Sequence, residues 1–221
     1  MKLSNDTREV LKNYASINAN LLVKEGNQIS TMSQMKNIVS VATLPDTFEK
    51  EIAIYDLNEF LSAMSLFNDP DLKFGDNSVQ IVEGGQSLKY FYSDPSVVTS
   101  PNKTITMPSK EVEFTLNGEN LNKLKRAAGV IQAPDLVLEK KDADVFLTVK
   151  DKKNDTANTF SLDVDTVADG SDFNFFFKVE NLKLMDGNYD VDISSKNISH
   201  LKSTNKDIEY WVALEPESSY E

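Results

Sequence analysis

Cysteine is absent from this sequence of 221 residues, and histidine occurs once, at His200. The first absence excludes thiol nucleophiles, disulfide bonds and Cys-containing zinc sites, and a Ser-His-Asp triad would have to use His200. Glycine and proline are also scarce, with 8 and 7 residues, so the composition is that of an ordinary folded protein. These absences remove most enzyme chemistry that depends on thiols, zinc or histidine.

Long hydrophobic segments are missing as well. No run approaches the roughly 20 apolar residues of a membrane-spanning helix. The opening residues, MKLSNDTR, lack the apolar core of a secretory signal. We expect a cytoplasmic protein without a membrane partner.

Basic residues are fewer than acidic residues in this sequence. Lys and Arg number 23 against 35 Asp and Glu, which gives a net charge of −12. A uniformly basic nucleic-acid coat is thereby excluded. Residues 119–131 nevertheless carry three basic residues and one acidic residue. A basic strip is therefore expected on an otherwise acidic protein.

An aspartate-rich stretch at 163–172 suggests a calcium loop that begins at Asp165 and has Asp169 at its fifth position. The third position is Val167 and the twelfth is Phe176, so two essential oxygen ligands are missing. We expect no metal site here.

Hydrophobic periodicity predicts short strands among four helices. Helix starts are indicated by capping residues, Ser4 or Asp6 for the first helix and Asp56 for the second. The helices are predicted at about 4–17, 56–67, 118–131 and 179–185. The strands are predicted at 20–24, 28–32, 38–43, 51–55, 78–82, 88–92, 111–116, 135–139, 145–150, 159–164, 173–178, 189–194 and 208–214.

Local features of this pattern carry further expectations. The first three strands look like an antiparallel meander, and His200 is expected in a polar surface loop at 194–207. The Phe-rich segment 173–177 and Trp211 are expected in the core.

A proline-containing connector at 93–112 is predicted to separate an N-terminal domain, 1–92, from a C-terminal domain, 113–221. A strand followed by an amphipathic helix occurs at 52–67 and again at 112–131, which is a weak internal repeat. The expected fold class is α+β, with two similar domains that each contain antiparallel sheets and two helices.

Several segments in order resemble the DNA sliding clamps, the polymerase processivity factors, of T-even-type tailed bacteriophages. The resemblance spans the chain and is carried by Met1-Lys2-Leu3-Ser4, Ala53-Ile54-Tyr55-Asp56-Leu57-Asn58, Asp94-Pro95-Ser96-Val97-Val98, Pro101-Asn102-Lys103, Gly187-Asn188-Tyr189 and Val212-Ala213-Leu214-Glu215. It implies a homotrimeric ring of DNA-clamp domains, with helices that line a hole around duplex DNA. It also implies a protein that is not an enzyme and that needs no cofactor.

Phosphate contacts inside such a ring would be independent of base sequence. The first and third helices carry cations opposite their apolar faces, whereas the second offers none. A solvated helix face is the simpler reading of these cations when the resemblance is set aside. The DNA-contact candidates are Arg8, Lys12, Lys123, Lys125, Arg126 and Lys183.

The resemblance also implies an apolar pocket beside the connector and the C-terminal segment, where partner peptides dock. Some of these residues could instead pin the connector to a sheet. The pocket candidates are Val97, Val98, Ile105, Met107, Leu214 and Pro216.

The implied partners are the phage DNA polymerase, a clamp loader and, for late transcription, transcription factors and host RNA polymerase, all in the cytoplasm of the infected bacterium. The sequence has no Walker lysine motif, so ATP hydrolysis would belong to the loader. The alternative is an acidic virion or scaffold oligomer that does not bind DNA. A carboxylate-based hydrolase is a distant third reading.

Overall fold

The computed structural model describes residues 1–168 and 170–221. The chain divides into two compact units, Met1–Lys103 and Thr104–Glu221. The division falls inside the predicted connector at 93–112, whose exact limits remain a prediction.

The first unit contains two α-helices and four antiparallel pairings of strands. Strand β1 pairs with β4, β2 pairs with β3, and β5, β6 and β7 form a meander. The elements are α1 (Asn5–Ile17), β1 (Leu21–Val23), β2 (Gly26–Met32), β3 (Ile38–Phe48), β4 (Ile52–Ile54), α2 (Leu57–Met64), β5 (Asp71–Phe74), β6 (Ser78–Glu83) and β7 (Gln86–Phe91).

Helix α1 begins where a side chain can satisfy its free amide groups. The Ser4 hydroxyl accepts a hydrogen bond from the Thr7 amide at 3.2 Å, and the Asp46 carboxylate accepts one from the Ser4 amide at 2.8 Å. The buried face includes Tyr14, whose hydroxyl donates to the Ile29 carbonyl at 3.3 Å. These contacts fix α1 against β2 and β3 and leave its polar face exposed.

Helix α2 is shorter than predicted and ends at Met64 instead of Phe67. The Asp56 carboxylate caps its start by accepting from the Glu59 amide at 3.0 Å. After Met64 the chain tightens into three-residue hydrogen bonds, of which Phe67 N to Met64 O is the last, at 3.2 Å. An amphipathic pattern cannot distinguish this tighter turn from α-helix, because both place apolar residues three positions apart.

The second unit contains one α-helix and two antiparallel sheets among its described residues. The strand orders are β11-β10-β9-β13-β17 and β12-β8-β14-β15-β16. The elements are β8 (Val112–Leu116), α3 (Gly118–Ile131), β9 (Asp135–Lys141), β10 (Asp144–Lys150), β11 (Phe160–Asp163), β12 (Thr166–Ala168), β13 (Phe173–Lys178), β14 (Tyr189–Ser194), β15 (Ile198–Ser203), β16 (Ile208–Ala213) and β17 (Ser219–Tyr220). On β13, Phe173, Phe175 and Phe177 are buried, as is Trp211 on β16, which confirms these core predictions.

The predicted helix at 179–185 is wrong, because only a three-residue 3-10 turn, Val179–Asn181, forms there. The backbone beyond it is held by distant side chains. The amide of Met185 donates to the Tyr210 hydroxyl at 3.3 Å, and the carbonyl of Met185 accepts from the Tyr189 hydroxyl at 2.7 Å. These hydrogen bonds use the backbone amide and carbonyl of Met185, which a helix would need for its own backbone hydrogen bonds.

The loop predicted for His200 is also wrong, since His200 lies in β15. The inward positions of β15 include Ser199 and Ser203, and the Ser199 hydroxyl donates to the Val212 carbonyl at 2.9 Å. Because serine fills these buried positions, the strand lacks an alternating apolar pattern. Strands β5, β12 and β17 were not predicted either, and the meander is wrong for β1, which pairs with β4.

Candidate DNA-binding surface

Helix α3 carries the most basic exposed face of the predicted helices. Its N-cap is Asn117, whose side chain accepts from the Asn120 amide at 2.8 Å. Leu121 and Leu124 are buried on the side that packs against β10 and β11. The opposite side exposes Lys123, Arg126, Glu119, Asn122 and Val130.

Lys123 and Arg126 are the cations of α3 that project into solvent. No hydrogen bond or ion pair to another described residue engages either side chain. They lie three positions apart, so they share one side of the helix. Glu119, one turn before Lys123, dilutes this positive field without cancelling it.

Lys125 has a different environment. It is half-buried, and its ammonium donates to the Leu184 carbonyl at 3.2 Å. Burial lowers the pKa of Lys125, and the nearby Asp186 carboxylate partly opposes that shift. Lys125 therefore fastens α3 to the segment that follows the 3-10 turn.

The start of α3 rests on the same segment. The Asn188 side chain accepts from the Gly118 amide at 2.8 Å. A Cβ atom at Gly118 would lie 3.0 Å from the Gly187 carbonyl oxygen, so a larger residue there would require the neighbouring backbone to shift by a few tenths of an ångström. Sequence reasoning did not find this support, since the contacts join positions about 70 residues apart.

Helix α1 presents one exposed cation and one that is paired. Lys12 is exposed, whereas the Arg8 side chain is 22% exposed and its guanidinium lies 3.6 Å from the Asp69 carboxylate. Glu9 is also exposed on this helix. Helix α2 offers no cation, and Lys183 is half-buried beyond the 3-10 turn.

The predicted partner-docking residues differ in exposure. Val97 is 54% exposed, Val98, Ile105 and Met107 are half-buried, and Pro216 is exposed. Leu214 is 6% exposed, which fits core packing better than an accessible pocket wall. Val97 and Val98 belong to the first unit, and the others belong to the second.

The segment around Val97 is tied to its own unit by the backbone. The Ser93 amide donates to the Ala53 carbonyl at 2.9 Å, and the Thr99 amide donates to the Asn20 side chain at 2.9 Å. These bonds support the interpretation that this part of the connector is pinned to its unit. They leave Val97 accessible.

His200 is held in a structural contact. Its ring stacks on Trp211 at 4.9 Å, and its Nε2 lies 2.8 Å from a Glu209 carboxylate oxygen. Among the residues that the structure describes, no group of three potential ligands could hold a metal ion, and Asp169 lies outside those residues. No described helix combines the length and apolar character needed to cross a membrane.

Comparisons with known proteins find matches along nearly the whole chain, and these matches agree with one another. A family profile described as DNA polymerase processivity factor matches residues 4–81, and one described as gp45 sliding clamp, C terminal, matches residues 113–216. The sliding clamp of Vibrio phage KVP40 is 32% identical over 221 residues, which cover 97% of this chain and 99% of that protein. The sliding clamp of Enterobacteria phage T4 is 31% identical over 228 residues, with 100% of both proteins covered.

A solved structure shares the fold at low sequence identity. A. fulgidus PCNA, bound to the C-terminal region of FEN-1, superposes with a TM-score of 0.70 over 96% of both chains, at 13% identity. The α+β clamp fold with two domains of antiparallel sheets is thereby confirmed.

Proposed function

The chain belongs to the phage sliding-clamp family of DNA polymerase processivity factors, and we propose that three copies form a closed ring around duplex DNA. Family membership makes the protein a processivity factor and not an enzyme. It also overturns the alternative of a virion or scaffold oligomer. The remaining proposals concern how this chain contacts DNA, assembles and meets its partners.

The exposed basic face of α3 is the observation that supports the proposed contact with DNA. Lys123 and Arg126 project from a helix of a protein whose net charge is −12. Lys and Arg bind phosphates without reading bases, so their contacts can be exchanged as the ring slides. Lys12 on α1 is the exposed candidate for DNA contact in the first unit. Arg8 and Lys183 remain secondary candidates, because both are half-buried. Lys125 is assigned to the support of α3 and not to DNA, because its ammonium donates to the Leu184 carbonyl.

The acidic remainder of the protein supports the same proposal. Its negative field repels DNA from surfaces other than the basic helix faces. Direct affinity stays weak because cations are few, so retention on DNA depends on the closed ring. We therefore propose a topological grip that tethers the replicative polymerase.

Two sheet edges support assembly into a ring. Strands β7 and β11 each end a sheet, and each has one edge without a strand partner among the described residues. Phe91 on β7 is 61% exposed, and an open edge of this kind pairs readily with another chain. By contrast, the edge of β5 is covered by Met1, whose carbonyl accepts from the Leu72 amide at 2.8 Å. We propose that β7 of one protomer joins β11 of the next.

The solution mass tests this assembly. Three chains of 24.7 kDa predict a particle of about 74 kDa in light scattering at high protein concentration. Phe91→Glu should lower that mass, whereas Met35→Glu, at another exposed apolar residue of the first unit, should not. A monomer at every concentration would contradict the ring.

Partner docking is proposed at the exposed connector residue Val97. A. fulgidus PCNA is bound to the C-terminal region of FEN-1, and Val97 is an exposed apolar side chain in the predicted connector of this chain. We propose that tails of the phage polymerase and clamp loader dock here. Val97→Ser should weaken binding of a labelled polymerase C-terminal peptide, and unchanged binding would contradict the assignment.

The other family roles are proposed on the same basis. A separate ATPase loads the ring, and the loaded ring activates late transcription with phage factors and host RNA polymerase. These events take place in the cytoplasm of the infected bacterium. Transcription from a late promoter with and without loaded clamp tests the second role.

A further inference from the structure

One carboxylate of the first unit forms ion pairs with two basic side chains of the same unit. Asp69, in the turn that follows α2, forms a salt bridge with Lys2 through one oxygen. Its other oxygen lies 3.6 Å from the Arg8 guanidinium. Asp69 thus lies beside the outer face of α1, where Arg8 was expected to meet DNA.

The turn itself is fixed in place. The Glu83 carboxylate accepts from the Asn68 amide at 2.9 Å and from the Asp69 amide at 2.8 Å. The Asp69 side chain remains 60% exposed. The fold therefore presents this carboxylate at the surface in a defined position.

The two cations are bound differently. The hydrogen bond between Lys2 and Asp69 raises the pKa of Lys2 and lowers that of Asp69, so both groups stay charged at neutral pH. Arg8 contacts Asp69 at 3.6 Å and the Asn68 carbonyl at 3.5 Å, which is the long end of hydrogen-bonding range. A phosphate oxygen could replace the carboxylate because a guanidinium binds either anion with the same fork geometry.

We propose that Asp69 competes with DNA phosphates for Lys2 and Arg8, and so weakens the direct attraction of the first unit for duplex DNA. The inference rests on the proposed function, in which α1 lines the hole of the ring. Its consequence is mechanical: a clamp that grips weakly slides with little resistance, while ring closure prevents escape. Asp69 is therefore a residue that sets the strength of DNA contact.

The test compares two substitutions that change the net charge equally. Asp69→Asn removes the competing carboxylate. Asp76→Asn is the control, because Asp76 is an exposed residue of the same unit that pairs with Lys50 at 3.3 Å. Binding of the full-length variants to a fluorescein-labelled duplex, without a loader, is measured by anisotropy across a salt series.

Asp69→Asn should bind about two- to fivefold more tightly than Asp76→Asn at low salt. Its plot of log affinity against log salt should be steeper by about one to two, because each additional phosphate contact contributes about 0.9. Adding Lys2→Gln and Arg8→Gln to Asp69→Asn should remove the gain, which a purely structural effect of the turn would not predict. Thermal melting checks that every variant is folded.

Two results would overturn the inference alone, and a third would overturn it together with direct phosphate contact. One is equal binding by Asp69→Asn and Asp76→Asn while both retain salt-dependent DNA binding, which leaves the proposed function intact. The other is a gain that survives removal of Lys2 and Arg8, because the carboxylate would then act by another route. If neither variant nor the unmodified protein shows salt-dependent binding, direct phosphate contact, and with it the inference, fails.

Discussion

Neutralising the two exposed cations of α3 should weaken the salt dependence of DNA binding. In Lys123→Gln/Arg126→Gln, each lost phosphate contact lowers the slope of log affinity against log salt by about 0.9, so the double variant should lose up to about 1.8. Between about 50 and 200 mM salt, the unmodified protein should therefore lose roughly tenfold more affinity than the variant. Both side chains are exposed, so the free energy of unfolding should change by no more than about 0.5 kcal/mol.

Anisotropy of a labelled duplex measures this slope, and urea denaturation measures stability. Lys153→Gln/Lys202→Gln is the control, since it removes the same charge from two exposed lysines of the same unit outside α3. The control should keep the slope of the unmodified protein. Equal slopes for the two double variants would refute the reasoning, because the effect would then follow net charge and not the face of α3.

Four further predictions follow from individual contacts. Lys125→Met should leave the salt slope unchanged because its ammonium donates to Leu184; a loss as large as that of Lys123→Gln would contradict this. Asn117→Ala should cost about 1 kcal/mol in urea denaturation through loss of the α3 cap, and no loss would contradict the capping role. Phe175→Ala should cost about 3 to 5 kcal/mol because the ring is fully buried, and a loss below about 1 kcal/mol would contradict that packing. Burial raises the pKa of Glu139, but hydrogen bonds from neighbouring lysines outweigh burial and hold the pKa below the usual 4.5. The stability that the ionised Glu139 gives to the folded protein should therefore be lost as pH falls through that lowered value. Glu139→Gln should flatten this acid dependence of the urea midpoint.

The helices with strong local signals were predictable. Ser4 and Asn117 cap α1 and α3 through bonds to residues three positions away, and the buried faces repeat at helical spacing. Such signals lie within one segment of the chain. The start of both helices and the outward direction of Lys12 and Lys123 therefore followed from the sequence.

Features that depend on distant contacts were not predictable. The segment at 179–185 has an apolar pattern that fits a helix, but the backbone amide and carbonyl of Met185 form hydrogen bonds with the hydroxyls of Tyr210 and Tyr189. Strand β15 was missed because buried serines break its alternation. Arg8 pairs with Asp69, which is 61 positions away, so sequence spacing alone predicts only that Arg8 lies on the outer face of α1 and not that it is paired.

Release from linear DNA tests the closed ring most directly. The clamp is loaded with its loader and ATP onto a nicked circular duplex, the loader is removed, and bound clamp is measured before and after a single cut. The account predicts stable retention on the circle, rapid loss after the cut, and retention again when both ends are blocked. Equal retention on cut and uncut DNA would contradict a topological grip.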